Sequence, residues 1–215
     1  MHRIAVTGAI LTILVMAAGC SSADKLNSQD PAQRIEGLRA LRNAPAPSAA
    51  EKVAALVGDP DAKVAEEAVR TLGTMRSTVA AEALAKTVLD NKQGSVRREA
   101  ALAMGRRTDE SCATALRRVV QVDPDAVVRS AAALSLGRSK DGKDMVCLLQ
   151  VADNDPDPGV RAQAVGAVEQ RLQMTFGYDP NASADERRDV VERVRFVIQA
   201  KKMDGSGASS QGGGT

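Results

Sequence analysis

The chain has 215 residues, of which 44% are apolar and 26% charged, enough for one packed domain with tails and too apolar for wholesale disorder. Its formal net charge of +2 gives no global electrostatic case for nucleic acid, which calls for a clearly basic face. Aromatic residues make up 1%, Trp is absent and the single histidine is His2, so Ala, Val and Leu must build the core. Small aliphatic residues suit closely packed helices better than a sheet, which favours β-branched and aromatic side chains.

Residues 1–20 read MHRIAVTGAILTILVMAAGC. Arg3 precedes an uncharged apolar run from Ile4 to Ala18, and Ala17, Ala18 and Gly19 lead to Cys20. A basic start, a short apolar stretch and small residues at the cut make a secretory signal, and the run is short for a membrane span of about 20 residues. Small residues directly before a cysteine resemble the lipobox of bacterial lipoproteins, although Ala17 stands where that family prefers Leu. The resemblance implies a signal peptide over 1–19 and acylation (palmitate among the chains) of Cys20. Residues 20–29 then form the lipidated Cys and a short tether, with Ser21, Ser22, Ala23 and Asp24 as its polar start. It further implies export and lipid anchoring to a bacterial membrane, the outer membrane facing the periplasm in a Gram-negative host.

From residue 30 the sequence repeats with a period of 32. Asp59-Pro60-Asp61, Asp123-Pro124-Asp125 and Asp155-Pro156-Asp157 mark the same point, with Asn91-Lys92-Gln93 as the degenerate member. Val64, Val96, Val128 and Val160 follow in register, then Ala68, Ala100, Ala132 and Ala164, and then Leu72, Met104, Leu136 and Val168. Asp30-Pro31 opens an earlier, shorter copy with Ile35, Leu38 and Leu41. This spacing predicts amphipathic helices. The leading Asp or Asn is expected as N-cap, with Pro at the first helical position. Gly73, Gly105 and Gly137 are expected to stop those helices. A second set runs over Val53 to Val57, Val79 to Leu89, Cys112 to Val120 and Met145 to Ala152, with Leu84, Leu116 and Leu148 again in register. Ser48 with Glu51 and Ser183 with Glu186 have capping-box spacing.

The Asp-Pro turn, the Val-Arg pair and the Ala-rich helix resemble the HEAT repeat, particularly its short bacterial form, the PBS-lyase HEAT-like repeat. The resemblance covers 30–173 and implies an all-α protein, an α-solenoid of about five helical hairpins with a C-terminal capping helix. It also implies a ladder between repeats made by the turn Asp and the Arg six residues on. Asp123 with Arg129 and Asp155 with Arg161 match it, Asn91 with Arg97 matches in part, and Asp59 faces Ala65. After Arg171 the spacing breaks, giving a loop and capping helix over 174–203 whose Val190, Val191, Val194, Val197 and Ile198 share one face. A disordered Gly/Ser tail is expected over 204–215.

Most catalytic constellations fail on inventory: with no histidine after residue 2 there is no Ser-His-Asp or Cys-His site and no HExxH zinc motif. No catalytic residue, metal ligand or cofactor is expected. Paired acids such as Asp59 and Asp61 lack the Gly and bidentate Glu of a calcium loop, and serve better as caps. Cys112 and Cys147 lie in adjacent repeats, either as small buried apolar residues or as a disulfide. Arg42, Arg76, Arg106, Arg107, Arg138, Lys140 and Arg171 fall at or past helix C-termini. There they either complement helix dipoles or form a basic binding edge, whose candidate residues are Arg106, Arg107, Arg138, Lys140 and Arg171. The sequence thus leads us to expect a monomeric, non-catalytic, membrane-anchored scaffold that binds an unidentified envelope protein and no nucleic acid. Binding of anionic lipid or envelope polymer by the basic edge is the alternative.

Overall fold

The Asp-Pro turns sort the chain into two layers. In the computed structural model, residues 22–139 and 141–207 are described. The signal segment 1–19, Cys20, Lys140 and the end of the tail, 208–215, lie outside the described residues. Among the described residues there are eleven α-helices and no strand. The first layer holds α2 (Pro31–Asn43), α4 (Ala62–Leu72), α6 (Gly94–Met104), α8 (Ala126–Leu136) and α10 (Pro158–Leu172), each packed on the next. The second holds α3 (Ala50–Ala55), α5 (Thr78–Asp90), α7 (Glu110–Val122), α9 (Gly142–Asn154) and α11 (Ala184–Gly207). A one-turn helix, α1 (Ser22–Lys25), packs on α2. Each second-layer helix from α3 to α9 lies along the first-layer helix that follows it. Neither face of such a hairpin is buried without its neighbours, so the core is one continuous strip between the layers.

The registered apolar residues form that strip. Val64, Val96 and Val128 are fully buried, as are all four alanines of the Ala68 series, and Leu84, Leu116 and Leu148 meet them from the second layer. Small side chains let neighbouring helices approach closely, and the glycines carry this furthest. Gly73, Gly105 and Gly137 follow directly on the last residues of α4, α6 and α8, where helix stops were expected, and with φ near −60° they make the stop without a left-handed turn. A Cβ on them would meet Ala103 Cβ at 2.9 Å, Ser135 Oγ at 2.7 Å and Ala167 Cβ at 2.6 Å. They are glycine because the next repeat's helix occupies that space.

The caps also sit two residues later than the sequence suggested. Asp61, Asp125 and Asp157, not the leading acids, accept the first helical N–H groups, Lys63 N at 2.8 Å for Asp61. Pro60, Pro124 and Pro156 lie before the helices, in the turn. Only Asp30-Pro31 follows the expected arrangement. Ser48 lies in a 3-10 turn and caps nothing, because α3 starts after Ala49 without a side-chain cap. Ser183 and Glu186 form the reciprocal box: Ser183 N donates to Glu186 Oε2 at 2.9 Å, and Glu186 N to Ser183 Oγ at 3.3 Å.

Both ends are tied down. Leu26 is buried, Ser28 O and Gln29 O accept from Arg34, and so the folded body begins earlier than the expected tether allows. At the other end Tyr178 hydroxyl donates to Ala152 O, and Phe176 N donates to Glu169 Oε1 at 2.8 Å, pinning the loop. α11 then buries Val190, Val191 and Val194 against α9 and runs on to Gly207, past the expected end at residue 203.

Candidate functional site

Two rows of charge run along the stack, one at each set of turns. At the Asp-Pro turns the leading acid has two jobs. Asp59, Asp123 and Asp155 accept the N–H of the residue two on, at 2.9, 2.9 and 2.8 Å, closing a local turn. Their carboxylates also take an arginine from the preceding repeat. Arg97 is bidentate on Asp123, Nε to Oδ2 at 2.8 Å and Nη2 to Oδ1 at 2.9 Å. Arg129 binds Asp155 with the same two distances. Each arginine's remaining nitrogen returns to its own turn, donating to Asn91 O at 2.9 Å, Asp123 O at 2.8 Å and, from Arg161, Asp155 O at 2.7 Å. Hydrogen bonding to Asp123 and to Asp155 raises the pKa of Arg97 and Arg129 despite their burial. Arg161 has no further repeat to reach, and Pro180 O of the capping loop accepts from it instead.

Arg34 belongs to this ladder although the sequence reading passed over it. Its Nη2 donates to Asp59 Oδ1 at 2.9 Å, and its Nη1 to Ser28 O at 2.8 Å. The clue was available: Arg34, Arg97, Arg129 and Arg161 each follow their turn residue by six, counting Ser28 as the turn of the first copy. The one missing rung is therefore between Ala65 and Asn91, where the guanidinium and the carboxylate are absent together. There the Asn91 amide reaches back to Val57 O at 3.3 Å. With these acids engaged, cap and ladder explain the paired aspartates. Among the described residues no group of three or more His, Cys, Asp or Glu is placed to hold a metal ion.

The opposite turns separate the arginines expected on a binding edge into two kinds. Arg107 is not on the edge: its side chain is 5% exposed and donates to Met75 O, Ser77 O and Asp109. Arg171, its counterpart two repeats on, donates to Asp141 O at 3.0 Å. Both satisfy backbone carbonyls of the preceding repeat's turn, which removes them from the candidate surface. Arg42 lies 2.8 Å from Glu67 as an ion pair without hydrogen-bond geometry. Arg70 holds Glu99 at 3.0 Å; burial opposes its charge, and the Glu99 bond with the Glu99, Glu67 and Glu66 carboxylates outweighs that and raises its pKa. Arg76, Arg106 and Arg138 remain, exposed and with no side-chain hydrogen bond or ion pair.

Two recesses flank these three. One of about 590 Å³ is lined by Arg42, Arg70, Arg76, Glu99 and Arg106. Another of about 560 Å³ is lined by Arg106, Arg138, Asp109, Glu110, Asp141 and Asp144, among others. Asp144 is fully buried and takes Arg117 Nη1 at 2.7 Å, while Glu110 takes Arg117 Nη2 at 2.6 Å, which lowers the Glu110 pKa. Ser135 is buried, and its hydroxyl donates to Ala101 O at 2.8 Å. Cys112 and Cys147 are separate buried thiols. Cys147 Sγ accepts Gln121 Nε2 at 3.2 Å, and burial pushes both thiols up.

A two-layer stack of helical hairpins, tied to one another by the arginine rungs at all but the Ala65–Asn91 seam, defines an α-solenoid. Its repeats match the HEAT-repeat family over residues 23–104 and 87–169, and the chain belongs to that family. The crystal structure of an engineered protein is similar at 18% identity over 89% of either chain, with a TM-score of 0.50. The complex of CpcE and CpcF of phycocyanin lyase from Nostoc sp. PCC7120 is similar at 14% identity, over 80% of this chain and 93% of that one, with a TM-score of 0.43. At such identities the likeness concerns the fold alone. No curated protein matches the chain.

Proposed function

We propose that the chain is an exported lipoprotein, acylated at Cys20, whose HEAT solenoid is a non-catalytic scaffold for another protein of the bacterial envelope. The observation that carries this reading is how directly the stack follows the lipobox-like cysteine. Only Ser21 separates Cys20 from α1, and Leu26 is already in the core. Two or three acyl chains anchor stably, since each buried CH₂ contributes about 0.8 kcal/mol. The repeats would then sit close to the bilayer with their outer surfaces free for a partner. Among the described residues no helix is long and apolar enough to cross a membrane. Exposed, unpaired Arg76, Arg106 and Arg138 favour a second reading, in which that edge binds anionic lipid or envelope polymer.

The test expresses the full chain and a Cys20→Ser variant in a bacterium fed an alkyne palmitate analogue, then crosslinks membranes and identifies what is retained. Label on the parent chain alone, with one near-stoichiometric partner, supports the reading. An unlabelled parent chain refutes the anchor, and an abundant, folded, labelled chain without any partner refutes the scaffold.

A further inference from the structure

Resting on the scaffold reading, we infer that the edge formed by Arg76, Arg106 and Arg138 docks an extended acidic segment of the partner protein, carboxylates down. The acids of that edge are all engaged within the chain. Glu99 is held by Arg70, Asp109 by Arg107, and Glu110 and Asp144 by Arg117, while Asp141 caps α9 through Lys143 N. Each acid lining the two recesses thus already has a partner within the chain, and none of them pairs with Arg76, Arg106 or Arg138. The three solvated guanidinium groups are thus open to carboxylates of another molecule.

Side-chain type and shape narrow the choice. All three cations are arginine, whose planar fork matches a carboxylate bidentately, as Arg97 and Arg129 do within this chain. Arg106 lines both recesses, so the site is a notched groove and not a flat basic plate, and a chain fits into it better than a bilayer surface. Arg106 and Arg138 occupy equivalent places on adjacent repeats, and neighbouring helices lie about 8–10 Å apart. A polyproline II segment turns once in three residues with a rise of about 3.1 Å each, so every third side chain returns to one face after about 9 Å. The groove thus fits acids at every third position of an extended, Pro-containing segment.

The test uses fluorescence anisotropy with the detergent-solubilised full chain and two labelled peptides, (Glu-Pro-Pro)₃ and (Gln-Pro-Pro)₃. Dissociation constants on the order of 10 μM are expected for the Glu peptide, with binding that weakens in salt. Arg106→Gln should weaken it about tenfold. The Arg76→Gln/Arg106→Gln/Arg138→Gln variant should abolish it with an unchanged melting temperature, since none of the three side chains makes an internal hydrogen bond. Equal binding of the Gln peptide, or full binding by the folded triple variant, overturns the inference. So does binding to phosphatidylglycerol vesicles with none to the Glu peptide, which assigns the edge to the membrane. If the crosslinked envelope partner is retained by the triple variant, the scaffold stands and this docking mode falls. If the parent chain retains no partner, the scaffold itself falls.

Discussion

Arg129→Ala removes one rung of the ladder at its most enclosed point. The guanidinium makes two bonds to Asp155 and donates to the carbonyls of Asp123 and Pro124, with 9% of its side chain exposed. Truncation leaves the Asp155 carboxylate, 4% exposed, with one remaining donor, Asp157 N. Breaking a buried pair by deleting one partner costs about 3–5 kcal/mol, because the other charge stays buried and uncompensated. The chain supplies its own control, since the seam between α4 and α6 has Ala65 and Asn91 in these two places. Arg129→Ala/Asp155→Asn copies that seam, removes the stranded charge and keeps an acceptor for Asp157 N. Its cost should fall to about 1–2 kcal/mol, chiefly the lost arginine stem and an unpaired Asp123 carbonyl. For a domain of this size about 1 kcal/mol moves the melting temperature by about 2–4 °C, so the single variant should melt about 6–20 °C lower and the double far less. Urea unfolding and thermal melts by circular dichroism measure both. A double variant no more stable than the single, or a single within about 1 kcal/mol of the parent, would refute the stranded-charge argument.

Gly137→Ala should destabilise the chain by about 1–3 kcal/mol in urea unfolding, because its Cβ would meet Ala167 Cβ at 2.6 Å. Gly166→Ala, in α10 with nothing within 4 Å, should stabilise it by about 0.5–1 kcal/mol in the same assay. Cys112 and Cys147 should resist thiol reagents in the folded chain and react together on unfolding, since burial raises both thiols; labelling at rates independent of urea would contradict their placement. The Ser183 hydroxyl and backbone N–H bonds hold the Glu186 carboxyl below its usual range, so its contribution to α11 is complete above that range and fades as pH falls through the lowered value. Hydrogen exchange of α11 should quicken with acidification, after correction for the intrinsic rate, and Glu186→Gln should remove that component.

The periodic part of the molecule was legible because core positions obey a strict geometric constraint. Val64, Ala68 and Leu72 recur at 32 because every repeat meets the same neighbour, and burial leaves few acceptable side chains. Polar residues in turns carry no such signal. Arg106 and Arg107 are adjacent and chemically identical, yet one is solvated and the other is locked on Met75 O and Ser77 O. Only the fold distinguishes them. Arg34 was missed for a related reason: the Asp-Pro pair of the first copy is its cap, equivalent to Asp61, and its turn residue is Ser28, whose backbone carbonyl does the work. A backbone acceptor leaves no trace in residue type. The glycines do stand at the helix ends, as read, but composition reports only that a side chain is missing and not that the next repeat fills its place.

Arg97 and Asp123 are 26 residues apart, as are Arg129 and Asp155, so every rung spans the boundary between two units. Excising residues 98–129, one full period, would bring Asp155 to the place from which Arg97 now takes Asp123, and Val160 to that of Val128. Both ends would be untouched, because Pro180 closes the last arginine whatever the number of units before it. A deletion that is not a whole number of periods would set arginines against the wrong neighbours. Changes of length in whole units are thus open to this chain in evolution, with reach along a partner adjustable independently of how its ends are sealed.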